Sequence, residues 1–264
     1  MAADSLGTGE RTDHVAEVPE IRVLGVRVHD LDMAAVLDRV REFIQTGKPH
    51  MIVTADSSGI VRAQEDEAFR DIVNQADLVT ADSSGILIGA RWLGTPLKGR
   101  VSGVDVAWEM CRMAAAQGFS VYLLGARPGV AEKAADRLRA VFPGLCIAGT
   151  RDGYFSEDEE PAIVESIRRS GACVLLVALG IPRQEKWIHA HLDKLGVCVA
   201  MGVGGSFDVF SGNVKRAPVW MQRHGLEWAY RLSKDPRKIS KVAALPRFIR
   251  LVLLEKYCRS RQTP

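Results

Sequence analysis

Asp82 ends the apolar segment DLVTA (77–81) and is followed by Ser83, Ser84 and Gly85, small residues that leave room for a ligand beside a carboxylate. An aspartate so placed can act as a general base. Asp followed by Ser-Ser-Gly ahead of ILIGARWLG is equally ordinary helix-capping chemistry, and the residues alone leave both readings open. The heptapeptide TADSSGI occurs twice, at 54–60 and 80–86, so Asp56 presents the same alternatives as Asp82. Thr54 either donates its hydroxyl to a substrate or simply terminates a strand. Apart from Val53 and Val79, the residues flanking the two copies do not continue the match, which weighs against an internal duplication.

GIPRQEKW (180–187) sets Pro182 at an expected first helical position, with Gln184 and Glu185 in the first turn, directly after a strongly apolar segment. The free N–H groups and dipole of such a helix start suit a nucleotide diphosphate, although Gln-Glu is also common first-turn chemistry. Further on, VGGSFDVFSGNVKRAPVW (203–220) combines Gly204, Gly205, Asp208 and the Lys215–Arg216 pair, a backbone that a ligand can approach closely. No GxGxxG follows a strand and no GxxxxGK[ST] exists, so neither a dinucleotide-dependent oxidoreductase nor a P-loop nucleotidase is supported. The six histidines form no HExxH, and His189 and His191, two apart, cannot share a helical face. We expect no metal and no cofactor, leaving Arg and Lys to neutralise a diphosphate.

Positioning these residues requires a scaffold, and the hydrophobic pattern specifies one. Apolar runs at 21–28, 50–55, 77–81, 119–125, 144–149, 172–180 and 197–203 alternate with helix-period segments. The first of those segments shows Val36, Leu37, Val40, Phe43 and Ile44 on one face, with Asp30 or Asp32 as its cap. The pattern predicts an α/β, Rossmann-like fold, a mostly parallel sheet flanked by helices, with seven strands. Ligands of such sheets bind beyond the carboxyl ends of strands, where the polar and glycine-rich segments fall.

The chain has 264 residues, 47% hydrophobic and 25% charged, enough for a sizeable core and unlike any disordered or fibrous class. No window carries the roughly 18 uninterrupted apolar residues of a membrane span. Residues 1–20 read as a polar, disordered tail without the features of a secretory signal, so a cytoplasmic location is expected. Five cysteines, an odd number without a CxxC pair, read as reduced thiols filling core space. Charge is unevenly placed: residues 213–264 hold 13 Lys+Arg against 3 Asp+Glu, and residues 1–212 hold 22 against 29. A basic helical appendage (213–264) thus follows an acidic α/β core (21–212), which implies an anionic partner. It holds expected helices at 219–233 and 239–257 around a DPRK turn. The second is either a basic amphipathic helix for a membrane surface or a helix docking its apolar side on the core.

The chain resembles the WecG/TagA/CpsF bacterial glycosyltransferases (glycosyltransferase family 26) from about Ile21 to Arg250. The likeness is carried by LGV (24–26), ADLVTADSSGI (76–86), RVSGVD (100–105), YLLGARPG (122–129), GYF (153–155), GIPRQEKWI (180–188), GVGGSFDVFSGNVKRAPVW (202–220) and LEWAYRLSKDPRK (226–238). The resemblance implies a metal-independent enzyme at the membrane that moves a sugar from a UDP-sugar to a polyprenyl-diphosphate-linked sugar with inversion. The donor would be N-acetylmannosamine, its uronic acid or a hexose, and the product a cell-surface polysaccharide or teichoic acid. It implies that Asp82 is the catalytic base, with Thr54 and Gln184 in the same machinery. Arg100 and Asp105 match pocket positions, and Asp56, Gly125, Pro182 and Glu185 fall within the matching substrate motifs. Gly180, Gly204, Gly205 and Asp208 match nucleotide-sugar loops, and Arg216, Arg231 and Arg237 would approach the diphosphate. A homo-oligomer on the inner face of the membrane is plausible for such a protein.

Two positions depart from the family pattern. Its usual Pro-Asp-Gly reads Ala81-Asp82-Ser83, and the Asn two after the Thr turn is Asp56. The altered turn motivates an alternative, a nucleotide-sugar-binding regulatory protein without catalysis. An oxidoreductase or epimerase would need NAD, and a nucleic-acid binder would need an aromatic stacking platform that the basic tail lacks.

Overall fold

The computed structural model describes residues 18–223, 227–234 and 239–262; the tail at 1–17 and the DPRK turn lie outside them. Six parallel strands form the central sheet: β3 (His50–Ala55), β4 (Leu78–Ala81), β5 (Ser120–Gly125), β6 (Cys146–Arg151), β7 (Val174–Ala178) and β8 (Val199–Gly202). Their spatial order is β4-β3-β8-β7-β5-β6, as expected of an α/β fold of the Rossmann-like kind. The expected seventh strand, 21–28, is instead a hairpin of its own, β1 (Glu20–Val23) paired antiparallel with β2 (Val26–His29). Leu24 and Gly25 both adopt positive φ, 52° and 77°, the two-residue turn whose twist suits a tight hairpin. The turn was concealed because Leu24 and Gly25 sit inside the stretch VLGV (23–26), and Leu is an unusual occupant of a left-handed turn position.

Period-2 alternation along the strands divides the core into two layers. Met51, Val53, Val79, Leu124, Leu175 and Val177 face one layer, covered by helices Ser57–Ala63, Glu67–Gln75, Ser84–Trp92, Glu160–Ser170, Arg183–Leu195 and Ile239–Gln262. Ile52, Leu78, Val121, Leu123, Leu176 and Met201 face the other, under Met33–Thr46, Gly103–Gln117, Val130–Val141 and Ser206–Phe210. Asp32, not Asp30, caps the first helix by accepting from Ala35 N at 2.9 Å; Asp30 accepts from Lys98 N.

Helix Ile239–Gln262 docks on the core. Phe248 and Val252 are fully buried against Gly89, where any Cβ would come within 2.8 Å of the Phe248 ring. The outer face of the helix still exposes Leu253, Leu254 and Tyr257. The cysteine expectation needs correction: all five are free, but only Cys111 is buried, while Cys146 and Cys258 are exposed. Among the described residues no helix is long and apolar enough to cross a membrane.

His29 ends β2 in a buried position, where its Nδ1 accepts the Val79 N–H at 2.9 Å. Burial, with the nearby Arg27 charge, holds the imidazole below its usual value of 6.5. The unfolded chain therefore binds a proton more readily than the folded one, so stability falls as pH drops below 6.5. Thermal melts at pH 7.5 and 5.5 are expected to differ more for the natural protein than for His29→Gln, whose amide oxygen can still accept from Val79.

Candidate active site

Because the six strands run in one direction, their carboxyl ends make one edge. In spatial order it carries Asp82 after β4, Asp56 after β3, Gly204 after β8, Gly180 after β7, Ala126 after β5 and Gly153 after β6. Residues far apart in the sequence thus share a single rim.

The two TADSSGI copies lie side by side, Thr54 in register with Thr80 and Ala55 with Ala81, yet they end differently. In the first, Asp56 caps its own helix: Oδ1 accepts from Gly59 N and from the Ser58 hydroxyl, both at 2.7 Å. In the second, the helix starts one residue later and Ser83 is the cap. Ser83 Oγ also accepts from Ser57 N at 3.2 Å and lies 3.1 Å from Ser57 Oγ, which ties the two turns together. Asp82 does not cap its own helix. Its Oδ1 accepts the N–H of Gly103 at 2.9 Å, at the start of a different, 15-residue helix. A helix N-terminus favours the ionised carboxylate, as a base requires.

Thr54 lies against the same point. A Cβ built at Gly103 would come within 2.9 Å of its Oγ1 and Cγ2, so only glycine lets the Thr54 hydroxyl approach this helix start. Asp105, in the first turn of the same helix, pairs bidentately with Arg216, Nη2 to Oδ2 at 2.7 Å. Arg216 Nε lies 3.9 Å from buried Glu227, which also pairs with Arg100 at 3.2 Å. The Asp105 carboxylate, helped by the charges of Glu227 and Asp82, holds the Arg216 guanidinium above its ordinary value, against the effect of burial. The structure therefore brings Asp82, Thr54, Arg100, Asp105 and Arg216 together. The side chain of Arg231 and all of Arg237 lie outside the described residues.

Gln184 and Glu185 are buried at the start of their helix, beside the loops after β7 and β8. Gln184 Oε1 accepts from Gly180 N at 3.2 Å and Gly204 N at 3.0 Å, while its Nε2 donates to Glu185 Oε1 at 2.7 Å. One side chain thereby joins the loops after β7 and β8. Gly202 must be glycine for this, because a Cβ there would meet the Gln184 amide at 2.5 Å. Pro182 stands at the cap of its helix, one position earlier than expected. Gly125, with φ of 121°, brings β5 against β7, where a Cβ would strike the Ala178 backbone.

Beside these loops opens a cavity of about 710 Å³ lined by Ala126, Arg127, Gly153 to Ser156, Glu159, Ala178 to Gly180, Arg183, Gly204 and Asp208. Its volume is that of a small-molecule site. Ser83, Gly103, Glu227, Arg127 and Tyr154 were not singled out from the sequence. Arg127 and Tyr154 had a signal, since GARPG and GYF each follow a strand. Glu227 had a signal too, as the first acid of the basic segment and the second residue of the LEWAYRLSKDPRK motif (226–238).

A parallel sheet with polar, glycine-bearing loops along one edge and a carboxylate held at a helix start defines a protein built to act on a small molecule at that edge. The model of the Glycosyl transferase WecG/TagA/CpsF family matches residues 21–262, and the chain belongs to that family. It is 34% identical over 211 residues to the N-acetylglucosaminyldiphosphoundecaprenol N-acetyl-beta-D-mannosaminyltransferase of Bacillus spizizenii (strain W23), covering 80% of this chain and 81% of that protein. The protein of the same name from Staphylococcus aureus (strain MW2) is 31% identical over 232 residues, 87% of this chain and 91% of that one.

Proposed function

We propose that this protein transfers an N-acetylmannosamine-like sugar from a UDP-sugar to a polyprenyl-diphosphate-linked sugar, with inversion and without a metal, in bacterial cell-surface polysaccharide synthesis. The observation that carries the reading is Asp82: its carboxylate, not needed to cap its own helix, is held by the Gly103 N–H beside Thr54. The names of the relatives support the acceptor and the sugar. In the proposed step the acceptor hydroxyl oxygen bonds to the anomeric carbon as Asp82 takes its proton. The bond from that carbon to the diphosphate oxygen breaks on the opposite face, and UDP leaves with the electron pair.

Thr54 hydrogen-bonds substrate, and Gln184 acts by holding the Gly180 and Gly204 loops in place. Arg216 and Arg100 supply positive charge near the leaving diphosphate, a preorganised electrostatic contribution. Arg231 and Arg237 add to it from the appendage. Exposed Leu253, Leu254 and Tyr257, interspersed with exposed Arg250, Lys256 and Arg259, support a peripheral position on the anionic inner face of the cell membrane, where the acceptor resides.

The deciding assay follows UDP release from UDP-N-acetylmannosamine with and without a polyprenyl-diphosphate-linked N-acetylglucosamine acceptor, in the presence of chelator. Acceptor-dependent release with a β-linked product is expected. Tight UDP-sugar binding without release from any donor and acceptor pairing would overturn the reading in favour of a non-catalytic binding protein.

A further inference from the structure

We infer that Cys173 and Cys198 are the two halves of a disulfide site, which on oxidation staples β7 to β8 at their amino ends. The pair lies on the edge of the sheet opposite Asp82, so its chemistry is separate from the sugar transfer proposed above. Cys173 immediately precedes β7 and Cys198 immediately precedes β8, and these strands pair in parallel with Val174 opposite Val199. The two cysteines are therefore cross-strand neighbours, with Cα atoms about 4.8 Å apart, inside the roughly 4.4–6.8 Å that a disulfide spans. Their backbones are held from both sides. Cys173 O accepts from Cys198 N at 2.8 Å and Val199 N at 3.1 Å, Cys173 N donates to Ser120 O at 3.0 Å, and His50 N donates to Cys198 O at 2.9 Å. Both side chains turn to the same layer of the core, and the thiols hydrogen-bond to each other. Each is partly exposed and so open to a small reagent, whereas Cys111 is buried. Cys146 starts β6, two strand steps or roughly 10 Å from β7, beyond the reach of either sulfur.

The step needs an oxidant, and a small disulfide such as oxidised glutathione supplies it. Burial, with the Cys198 thiol beside it, pushes the Cys173 thiol up to about 12 and keeps it protonated, so the first attack falls to Cys198. The Cys198 thiol loses its proton, its sulfur bonds to one sulfur of the reagent, and the reagent's S–S bond breaks with the electron pair leaving on the other sulfur. Cys173 then loses its proton, bonds to the Cys198 sulfur and displaces the second half of the reagent. Each departing thiolate takes up one of the two protons, so two protein thiols are oxidised by two electrons while one small disulfide is reduced to two thiols. The closed loop, 173–198, encloses helix Arg183–Leu195 and with it Gln184. Gln184 already joins the Gly180 and Gly204 loops at the carboxyl ends of the same two strands, so the staple fixes the strand pair at both ends.

The test treats the full chain with oxidised glutathione, then denatures it and labels the remaining thiols with N-ethylmaleimide for peptide mass spectrometry. A cross-linked peptide pair joining Cys173 to Cys198 is expected, reversed by reductant and absent from Cys198→Ser. In Cys173→Ser the reaction should stop at a glutathione adduct on Cys198. Scanning calorimetry should show the oxidised protein melting about 5–10 °C above the reduced one, the gain expected of a staple closing a loop of this length, with Cys146→Ser and Cys258→Ser in both samples to prevent coupling between molecules. Maleimide on both Cys173 and Cys198 after exposed Cys146 has taken up glutathione would overturn the site. A glutathione adduct that persists on Cys198 of the natural protein, with no cross-link, would overturn it too. A cross-link that leaves the melting temperature unchanged or lowers it would overturn the staple.

Discussion

Asp82→Asn is expected to lower acceptor-dependent turnover by about 10²–10⁴-fold, the usual contribution of a positioned general base. The substitution is nearly isosteric, and the amide oxygen can still accept the Gly103 N–H that now holds Asp82 Oδ1 at 2.9 Å. Fold and donor binding should therefore survive, so that UDP affinity measured by calorimetry stays close to that of the natural protein. The loss should appear in kcat, because what disappears is the ability to take a proton as the acceptor oxygen attacks. Asp56→Asn is the matched control. Asp56 occupies the same place in the other heptapeptide but caps its own helix, a task an Asn oxygen performs equally well. Turnover in that variant should remain near the natural level. If Asp56→Asn abolished activity and Asp82→Asn did not, the assignment of the two aspartates would be reversed.

Phe248→Ala is expected to destabilise the protein by about 3–5 kcal/mol, the cost of emptying a fully buried phenylalanine site. Phe248 is 1% exposed, and its ring packs on the bare backbone of Gly89. Beside it, Leu245 reaches Gly85, where a Cβ would sit 3.3 Å from Leu245 Cδ1 and 2.2 Å from Ser57 Oγ. The C-terminal helix therefore presses on the same two turns whose offset leaves Asp82 to the Gly103 helix. A drop in melting temperature on the order of 10 °C should accompany the substitution, and scanning calorimetry reads it directly. Activity lost at temperatures well below the new transition would place the helix in support of the site as well as of the fold. An unchanged melting temperature would contradict the packing of this helix on the core.

The strand pattern was legible because burial on both faces leaves nearly continuous apolar runs, and the boundaries of β3, β4 and β5 fall within a residue of where those runs place them. The hairpin was not legible. Its turn is specified by two left-handed residues, one of them Leu24, inside a run that hydropathy cannot divide. The C-terminal helix was ambiguous for a different reason: its apolar residues cover more than one face. Only the partner surface, a glycine-rich stretch of helix Ser84–Trp92, decides that Phe248 and Val252 turn inward while Leu253 and Tyr257 remain outside.

The site divides along the same line. Composition, the glycine loops after strands and the likeness of long motifs determined the family, the sheet and the edge on which a ligand would lie, since each is a property of local residue order. Two identical heptapeptides, however, cannot differ by their own sequence. What separates Asp56 from Asp82 is a one-residue difference in where each following helix begins, fixed by the Ser57–Ser83 contact and by Gly103 arriving from 21 residues beyond Asp82. The pairing of Arg216 with Asp105 spans 111 residues, and that of Arg100 with Glu227 spans 127. Such contacts depend on which strand lies beside which, and only the packed sheet settles that order.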